Sequence, residues 1–85
     1  MRMDSESLQE CAQEFKTARG EFDGAVKRMD EAVTALQKKW EGASKQEFYR
    51  QYQLLHEYME RFGKLVSSIA VELDATAEKL EEADK

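Results

Sequence analysis

The sequence predicts an all-α protein whose single domain, residues 1–85, is a hairpin of two long antiparallel helices. Of the 85 residues, 53 are Ala, Glu, Lys, Leu, Gln, Arg or Met, the strong helix formers, whereas Val, Ile and Thr supply only eight. The chain contains no proline, and its apolar residues recur with the 3.5-residue period of paired helices. These observations argue against a β-sheet and favour two helices separated by one central break.

The first helix is predicted over about residues 5–40, because apolar residues recur there in two interleaved heptad series. The first series is Leu8, Phe15, Phe22, Met29 and Leu36. The second is Ala12, Arg19, Val26, Val33 and Trp40, in which only Arg19 is polar. Asp4, Ser5 and Ser7 can each cap the start of this helix, and the sequence does not choose between them.

The break between the helices is predicted at residues 40–43. Lys38 and Lys39 are expected in the last turn of helix one, where cations suit the negative end of the helix dipole. Gly42 can adopt the left-handed conformation that ends a helix. A link this short makes the two helices antiparallel neighbours, with Trp40 at the tip of the hairpin.

The second helix is predicted over about residues 44–83. Ser44 and Glu47 have the spacing of a capping box just ahead of Phe48. Alternating steps of four and three then connect a second apolar stripe, interrupted once by Thr76. This stripe is Phe48, Tyr52, Leu55, Met59, Phe62, Val66, Ile69, Leu73, Thr76 and Leu80.

A hairpin of this kind is only two helices thick, and its apolar stripes are wider than one neighbour can cover. We therefore expect two hairpins to pair into an elongated four-helix bundle, as an antiparallel homodimer or with a related hairpin protein. The residues expected in the core and the dimer interface are Leu8, Phe15, Phe22, Val26, Met29, Val33, Leu36, Phe48, Tyr52, Leu55, Met59, Phe62, Val66, Ile69 and Leu73.

Composition argues against several classes of function. The net charge of -5 disfavours nucleic acid as a partner, and no apolar run approaches the ~20 residues of a membrane span. The N-terminus lacks the apolar core of a signal peptide, which by itself indicates a cytoplasmic protein. With one histidine, His56, and one cysteine, Cys11, we expect no metal site, no cofactor and no enzymatic activity. Cys11 is expected to pack as a small side chain or to form an intermolecular disulfide.

The central segment Trp40-Glu41-Gly42-Ala43-Ser44 is the most specific motif of the chain. In this context the sequence resembles the WXG family of small early-secreted-antigen-like proteins, which bacterial type VII systems export. The resemblance covers essentially all 85 residues, and it implies a homodimeric effector or co-secreted factor without enzymatic activity.

The same resemblance implies an export signal and a route out of the cell. Family members carry a hydrophobic residue followed four positions later by an acid, and Leu80 and Asp84 match this pattern, with leucine in place of the usual tyrosine. A bipartite signal of Trp40 and Gly42 from one chain, with Leu80 and Asp84 from its mate, is then expected to be read by the system's membrane ATPase. The folded protein would be secreted without a cleaved signal peptide, in contrast to the location that its N-terminus indicates.

Two other functions are compatible with the same residues. The chain can be a cytoplasmic, chaperone-like partner of a larger type VII toxin that carries a similar helical domain. It can also be a structural coiled-coil adaptor that is not exported. Trp40 and Gly42 also have a purely structural interpretation, in which Trp40 packs over the open end of the bundle and Gly42 permits the chain to reverse.

Overall fold

The computed structural model describes residues 4–83, which form two long helices and the link between them. Helix α1 covers Ser5–Gln37, and helix α2 covers Ala43–Ala83. The helices pack antiparallel into a rod of 66 × 19 × 17 Å. The predicted all-α hairpin is confirmed, and no strand occurs in the described residues. Neither helix of residues 4–83 contains an apolar stretch long enough to cross a bilayer.

Helix α1 begins immediately after Asp4, which decides between the three candidate caps. Asp4 Oδ1 accepts a hydrogen bond from the backbone N–H of Ser7 at 2.8 Å. This backbone hydrogen bond, together with one from the Ser7 side chain, lowers the pKa of Asp4 below its ordinary value. Asp4 therefore satisfies one of the N–H groups that the first helical turn leaves without an internal partner.

The link between the helices is longer than the sequence indicated. Helix α1 ends at Gln37, so Lys38 and Lys39 lie in the link and not in the last helical turn. The chain reverses over residues 38–42, and Gly42 has φ 116°. Only glycine adopts this left-handed conformation without strain, which explains its place immediately before α2.

The predicted capping box is wrong, because both of its side chains are engaged elsewhere. Helix α2 already begins at Ala43, and Ser44 Oγ accepts a hydrogen bond from Trp40 Nε1 at 3.2 Å. The Glu47 carboxylate accepts hydrogen bonds from Arg50 and Gln51, one turn further along the same helix. Ser44 thus fixes the tryptophan to the start of α2.

The residues buried between the two helices are mostly small. The buried set is Leu8, Ala12, Met59, Gly63, Ala70 and Ala77. Gly63, Ala70 and Ala77 are seven residues apart, which places them on one face of α2 and lets α1 approach closely. The most deeply buried part of the contact is therefore made mainly by small residues, and larger apolar side chains are half-buried beside it.

One edge of the contact between the helices is polar. Lys16 Nζ lies 2.8 Å from Asp74 Oδ2, and Arg19 Nη1 donates a hydrogen bond to Ser67 Oγ at 3.0 Å. Ser5 Oγ donates to Glu81 at 3.1 Å near the end of the rod. These pairs cross from one helix to the other between residues 5 and 19 of α1.

The opposite edge is apolar and open to solvent. By the helical period, its side chains point to one side of the hairpin, away from the polar pairs. We call these residues the apolar face. They are Met29, Leu36, Leu55, Tyr58, Phe62, Leu65 and Ile69, with exposed fractions between 37% for Met29 and Ile69 and 65% for Tyr58.

Candidate functional site

The Trp40 side chain packs on the first turns of α2. Its ring centroid lies 5.2 Å from that of Phe48, and its indole N–H donates to Ser44. The backbone N–H of Trp40 also donates to Leu36 O at 3.0 Å. The indole is half-buried, so one part of its surface supports the turn and the rest faces solvent.

Aromatic side chains continue from the turn along α2. The Phe48 and Tyr52 rings stack with centroids 6.4 Å apart, and the Tyr52 ring lies 6.0 Å from that of His56. This ladder ends at Asp30 on α1, which accepts a hydrogen bond from the Tyr52 hydroxyl and lies 3.3 Å from His56 Nε2. The end of the hairpin near Trp40 is thus held to α1 through a polar anchor.

The anchor changes the acidity of two of its members. Burial and, after it, the hydrogen bond to the Asp30 carboxylate raise the pKa of Tyr52 to about 12. The Tyr52 hydroxyl lowers the pKa of Asp30, because its hydrogen bond favours the charged carboxylate. Sequence analysis did not single out Asp30, whose only visible signal was an acidic residue near the apolar stripe of α1.

A polar groove of about 530 Å³ lies beside this anchor, on the edge opposite the apolar face. Its lining includes Asp30, Thr34, Tyr49, His56 and Glu60. Among residues 4–83, no three His, Cys, Asp or Glu side chains are close enough together to hold a metal ion.

The C-terminal half of the expected export signal lies at the other end of the rod. Leu80 is half-buried, and α2 remains helical through Ala83. Glu81 Oε1 accepts hydrogen bonds from Ser5 and Gln9, which attach this part of α2 to α1. Asp84 lies outside the described residues. One chain therefore does not bring Trp40 and Leu80 together, because they lie at opposite ends of α2.

The residues expected in the core and interface divide into three groups. Two of them are buried, Leu8 and Met59. Eight are half-buried: Phe15, Phe22, Val26, Val33, Phe48, Tyr52, Val66 and Leu73. Five are exposed, and all five belong to the apolar face: Met29, Leu36, Leu55, Phe62 and Ile69. Sequence analysis did not include Ala12, Ala70 and Ala77 among these core and interface residues, although their burial and heptad spacing identify the intramolecular contact.

The apolar face extends across both helices. Phe22 on α1 and Phe62 on α2 lie with ring centroids 5.1 Å apart, so the two helices contribute to one continuous surface. Cys11 is exposed, and the helical period places it on the same side of α1 as Met29. An exposed apolar patch of this extent is typical of a site that binds another protein.

Comparison with known proteins identifies the family. The sequence profile of WXG100, described as proteins of 100 residues with WXG, matches residues 1–85. The chain belongs to the WXG100 family. Trp40-Glu41-Gly42 supplies the motif that gives this family its name, and the motif lies in the link between α1 and α2.

Relatives of this WXG100 protein cover nearly its whole length. Protein YukE of Bacillus subtilis is 29% identical over 85 residues, which is 100% of this chain and 88% of YukE. An uncharacterised protein of Clostridium acetobutylicum is 27% identical over 79 residues, covering 93% of this chain and 82% of that protein.

Solved structures of two other proteins have the same fold. A mutant of the secreted protein EsxB from Bacillus anthracis superposes with a TM-score of 0.90 at 25% identity, covering 100% of this chain and 94% of EsxB. EsxA from Geobacillus thermodenitrificans gives a TM-score of 0.86 at 30% identity, over 99% of this chain and 91% of EsxA. The hairpin is thus the fold of the WXG100 proteins, the ESAT-like secreted proteins of type VII systems.

Proposed function

We propose that this protein is a type VII secretion substrate that acts, without enzymatic activity, as a homodimeric effector or co-secreted factor. The observation that carries the proposal is the apolar face, which one chain leaves open along most of its length. Similarity to EsxB, a secreted protein, supports export. In this proposal the protein leaves the cell folded and without a cleaved signal peptide.

The apolar face is best covered by the same face of a second copy. Full burial of one large apolar side chain stabilises by about 1.5–3 kcal/mol, so covering seven partly exposed ones is a large gain for a two-helix rod. The polar pairs on the opposite edge are already satisfied within the chain and offer no comparable gain. Two hairpins stacked face to face around a two-fold axis form the four-helix bundle.

The charges beside the apolar face favour an antiparallel orientation of the two hairpins. Glu14, Glu21 and Arg28 lie at seven-residue spacing along the outer flank of α1. In an antiparallel dimer centred near the middle of the rod, Arg28 of one copy falls between Glu14 and Glu21 of the other. A parallel dimer would instead place Glu14 beside Glu72 and Arg28 beside Arg61 of the second copy, which like-charge repulsion disfavours.

The antiparallel dimer would complete the bipartite export signal. In that arrangement Leu80 of one copy lies level with the first turn of α2 in the other, next to Trp40 and Gly42. The two parts of the signal, about 60 Å apart within one chain, then share one end of the rod. The membrane ATPase of the secretion system is the proposed reader of this combined surface.

Export is tested by measuring the protein in culture supernatant and in cells for Leu80→Ala and Asp84→Ala. Each substitution should reduce the secreted fraction at least tenfold, while helicity and dimer mass stay unchanged. Val71→Ala, at a 67% exposed apolar position away from the apolar face, is the matched control for Leu80, and Glu82→Ala is the control for Asp84. Normal secretion of both signal variants would refute the bipartite signal.

The apolar face also admits a second candidate, a hairpin domain of a related chain. The protein would then be a chaperone-like partner of a larger type VII toxin. Native mass spectrometry of the purified protein distinguishes the two. A stable homodimer supports the first function, and a monomer that becomes fully ordered only with the related domain supports the second.

A further inference from the structure

Arg19 is the one charged residue in the heptad series of α1 that faces α2. Its guanidinium is held from two sides: Nε donates to Asp23 Oδ1 at 2.9 Å, and Nη1 donates to Ser67 Oγ at 3.0 Å. The Arg19 side chain is 30% exposed, so most of it lies within the contact between the helices. Arg19 therefore crosses from α1 to α2 at a defined level of the rod.

Gly63 provides the space that the guanidinium occupies. A Cβ atom at position 63 would lie 2.8 Å from Arg19 Cζ and 3.0 Å from Nη1, so the guanidinium would have to move away and would lose its hydrogen bond to Ser67. The other helical glycines are different. Gly20 has no atom within 4 Å of such a Cβ, and at Gly24 the nearest is an Arg28 nitrogen at 3.8 Å.

The space that the Arg19 guanidinium occupies is present at one register of α2. Gly63 is the single glycine of Ala43–Ala83. A slip of one heptad would put His56 or Ala70 opposite Arg19, and either side chain would fill the space that the guanidinium needs.

We infer that Arg19, Gly63 and Ser67 form a register lock that determines which stripe each helix uses within the hairpin. The lock holds the small residues of α2 against α1, and it thereby leaves the apolar face for a second copy. This last step rests on the proposed homodimer, whereas the lock itself does not. A polar residue in an apolar seam lowers stability but specifies register and partner number, as a single polar residue does in coiled coils.

The lock predicts that Gly→Ala changes Tm in opposite directions at Gly20 and at Gly63. Gly→Ala inside a helix normally stabilises it, and at Gly20 it should raise Tm by roughly 4–8 °C. Gly63→Ala should instead lower Tm in the presence of Arg19. In an Arg19→Ala background, Gly63→Ala should raise Tm, as at Gly20. If Gly63→Ala raises Tm equally with and without Arg19, the lock does not exist.

Arg19→Leu tests whether the lock specifies pairing as well as stability. The variant should retain or increase Tm, because an apolar residue replaces a partly buried charge. It should nevertheless give more than one set of backbone amide signals in NMR spectra, and more than one oligomer in native mass spectrometry. A single set of signals and the wild-type oligomer would overturn the inference about pairing.

These measurements separate the lock from the proposed function. Tm and amide signals report on the register even if the protein is never exported or if it is a monomer. If Gly20→Ala and Gly63→Ala change Tm in opposite directions but the protein is not exported, only the secretion proposal is refuted. Ser67→Ala provides an additional check, since it removes the Nη1 hydrogen bond without altering the space at Gly63, and it should weaken the selection of register less than Arg19→Leu does.

Discussion

Trp40 Nε1 donates a hydrogen bond to Ser44 Oγ at 3.2 Å, which ties the side chain at the tip of the hairpin to the first turn of α2. The indole also packs against Phe48. Trp40 thus has a structural role that is separate from any part it plays in export. Because Ser44 and Trp40 contribute to the same bond, they can be changed one at a time to separate the two roles.

Trp40→Phe and Ser44→Ala should have similar effects on stability and different effects on export. Each removes the same hydrogen bond, which is worth about 0.5–1.5 kcal/mol. Ser44→Ala keeps the indole, so a machinery that recognises Trp40 should still export this variant, whereas Trp40→Phe should be retained in the cell. Thermal unfolding and the secreted fraction measure both quantities. Equal export of the two variants would show that Trp40 serves packing alone.

Phe62→Glu should convert the proposed dimer into a monomer. Phe62 is 53% exposed in the hairpin, so the charge is tolerated within one chain but not inside an apolar interface. Val71→Glu is the control, because Val71 is also exposed but lies away from the apolar face. Light scattering coupled to gel filtration gives the mass of each variant. A dimeric Phe62→Glu protein would contradict the proposed interface.

Cysteine cross-linking should report the orientation of the dimer. In an antiparallel dimer centred near the middle of the rod, the two Cys11 residues lie about 38 Å apart, since 25 residues at 1.5 Å separate their levels. Oxidation of the wild-type protein should therefore not cross-link the dimer. Leu36→Cys places a second thiol level with Cys11 of the other copy and should give a covalent dimer on a non-reducing gel. A covalent dimer of the wild-type protein, with no added cross-link in Leu36→Cys, would exclude the antiparallel arrangement.

Alkaline pH should destabilise the hairpin through Tyr52. Its pKa is raised to about 12 in the folded protein, from about 10 in an unfolded chain. The contribution of Tyr52 is thus complete below pH ~10 and is lost as the pH rises through 12. Tyr52→Phe should remove this part of the fall in Tm, whereas Tyr49→Phe, an exposed tyrosine on the same helix, should not. Identical pH profiles for wild type and Tyr52→Phe would contradict the role of this anchor.

Acidic pH should act on the partner of Tyr52. The pKa of Asp30 is lowered in the folded protein, so its contribution is present above the ordinary value of 3.8 and is lost as the pH falls through the lower folded value. Asp30→Asn should lower Tm at neutral pH, and its Tm should fall less than that of the wild type as the pH is lowered through this range. Glu31→Gln, which changes an exposed carboxylate next to Asp30 on the same helix, is the comparison. If the Tm of Asp30→Asn falls at acidic pH as much as that of the wild type, other carboxylates cause the fall.

The sequence was sufficient for the helical hairpin because helix propensity, heptad spacing and Gly42 are local signals. It was not sufficient to predict which face of each helix packs against the other helix. Heptad spacing defines a stripe on each helix, but it does not say which edge of the stripe meets the other helix and which remains open. Burial of Ala70 and Ala77 and exposure of Phe62 decide this, and hydrophobicity alone ranks these residues in the opposite order.

The contacts of polar side chains were also harder to predict from the sequence than those of apolar side chains. Ser44 has the spacing of a capping residue, yet Trp40 Nε1 reaches its hydroxyl from the neighbouring link. Asp30 is brought to Tyr52 by the antiparallel packing, and a separation of 22 residues in the chain gives no local sign of this pair. Hydrogen bonds across the hairpin depend on register, which the sequence period leaves undetermined.

The hydrogen bond between Ser5 and Glu81 shows that the start of α1 and the end of α2 lie at the same end of the rod. In the proposed dimer, each end of the bundle would then carry one turn from one copy and one pair of helix ends from the other. The dimer is in this sense a bivalent particle, with two equivalent recognition ends about 50–60 Å apart. A receptor with repeated sites at that spacing could bind both ends at once, and the gain in avidity would distinguish the assembled dimer from a single hairpin.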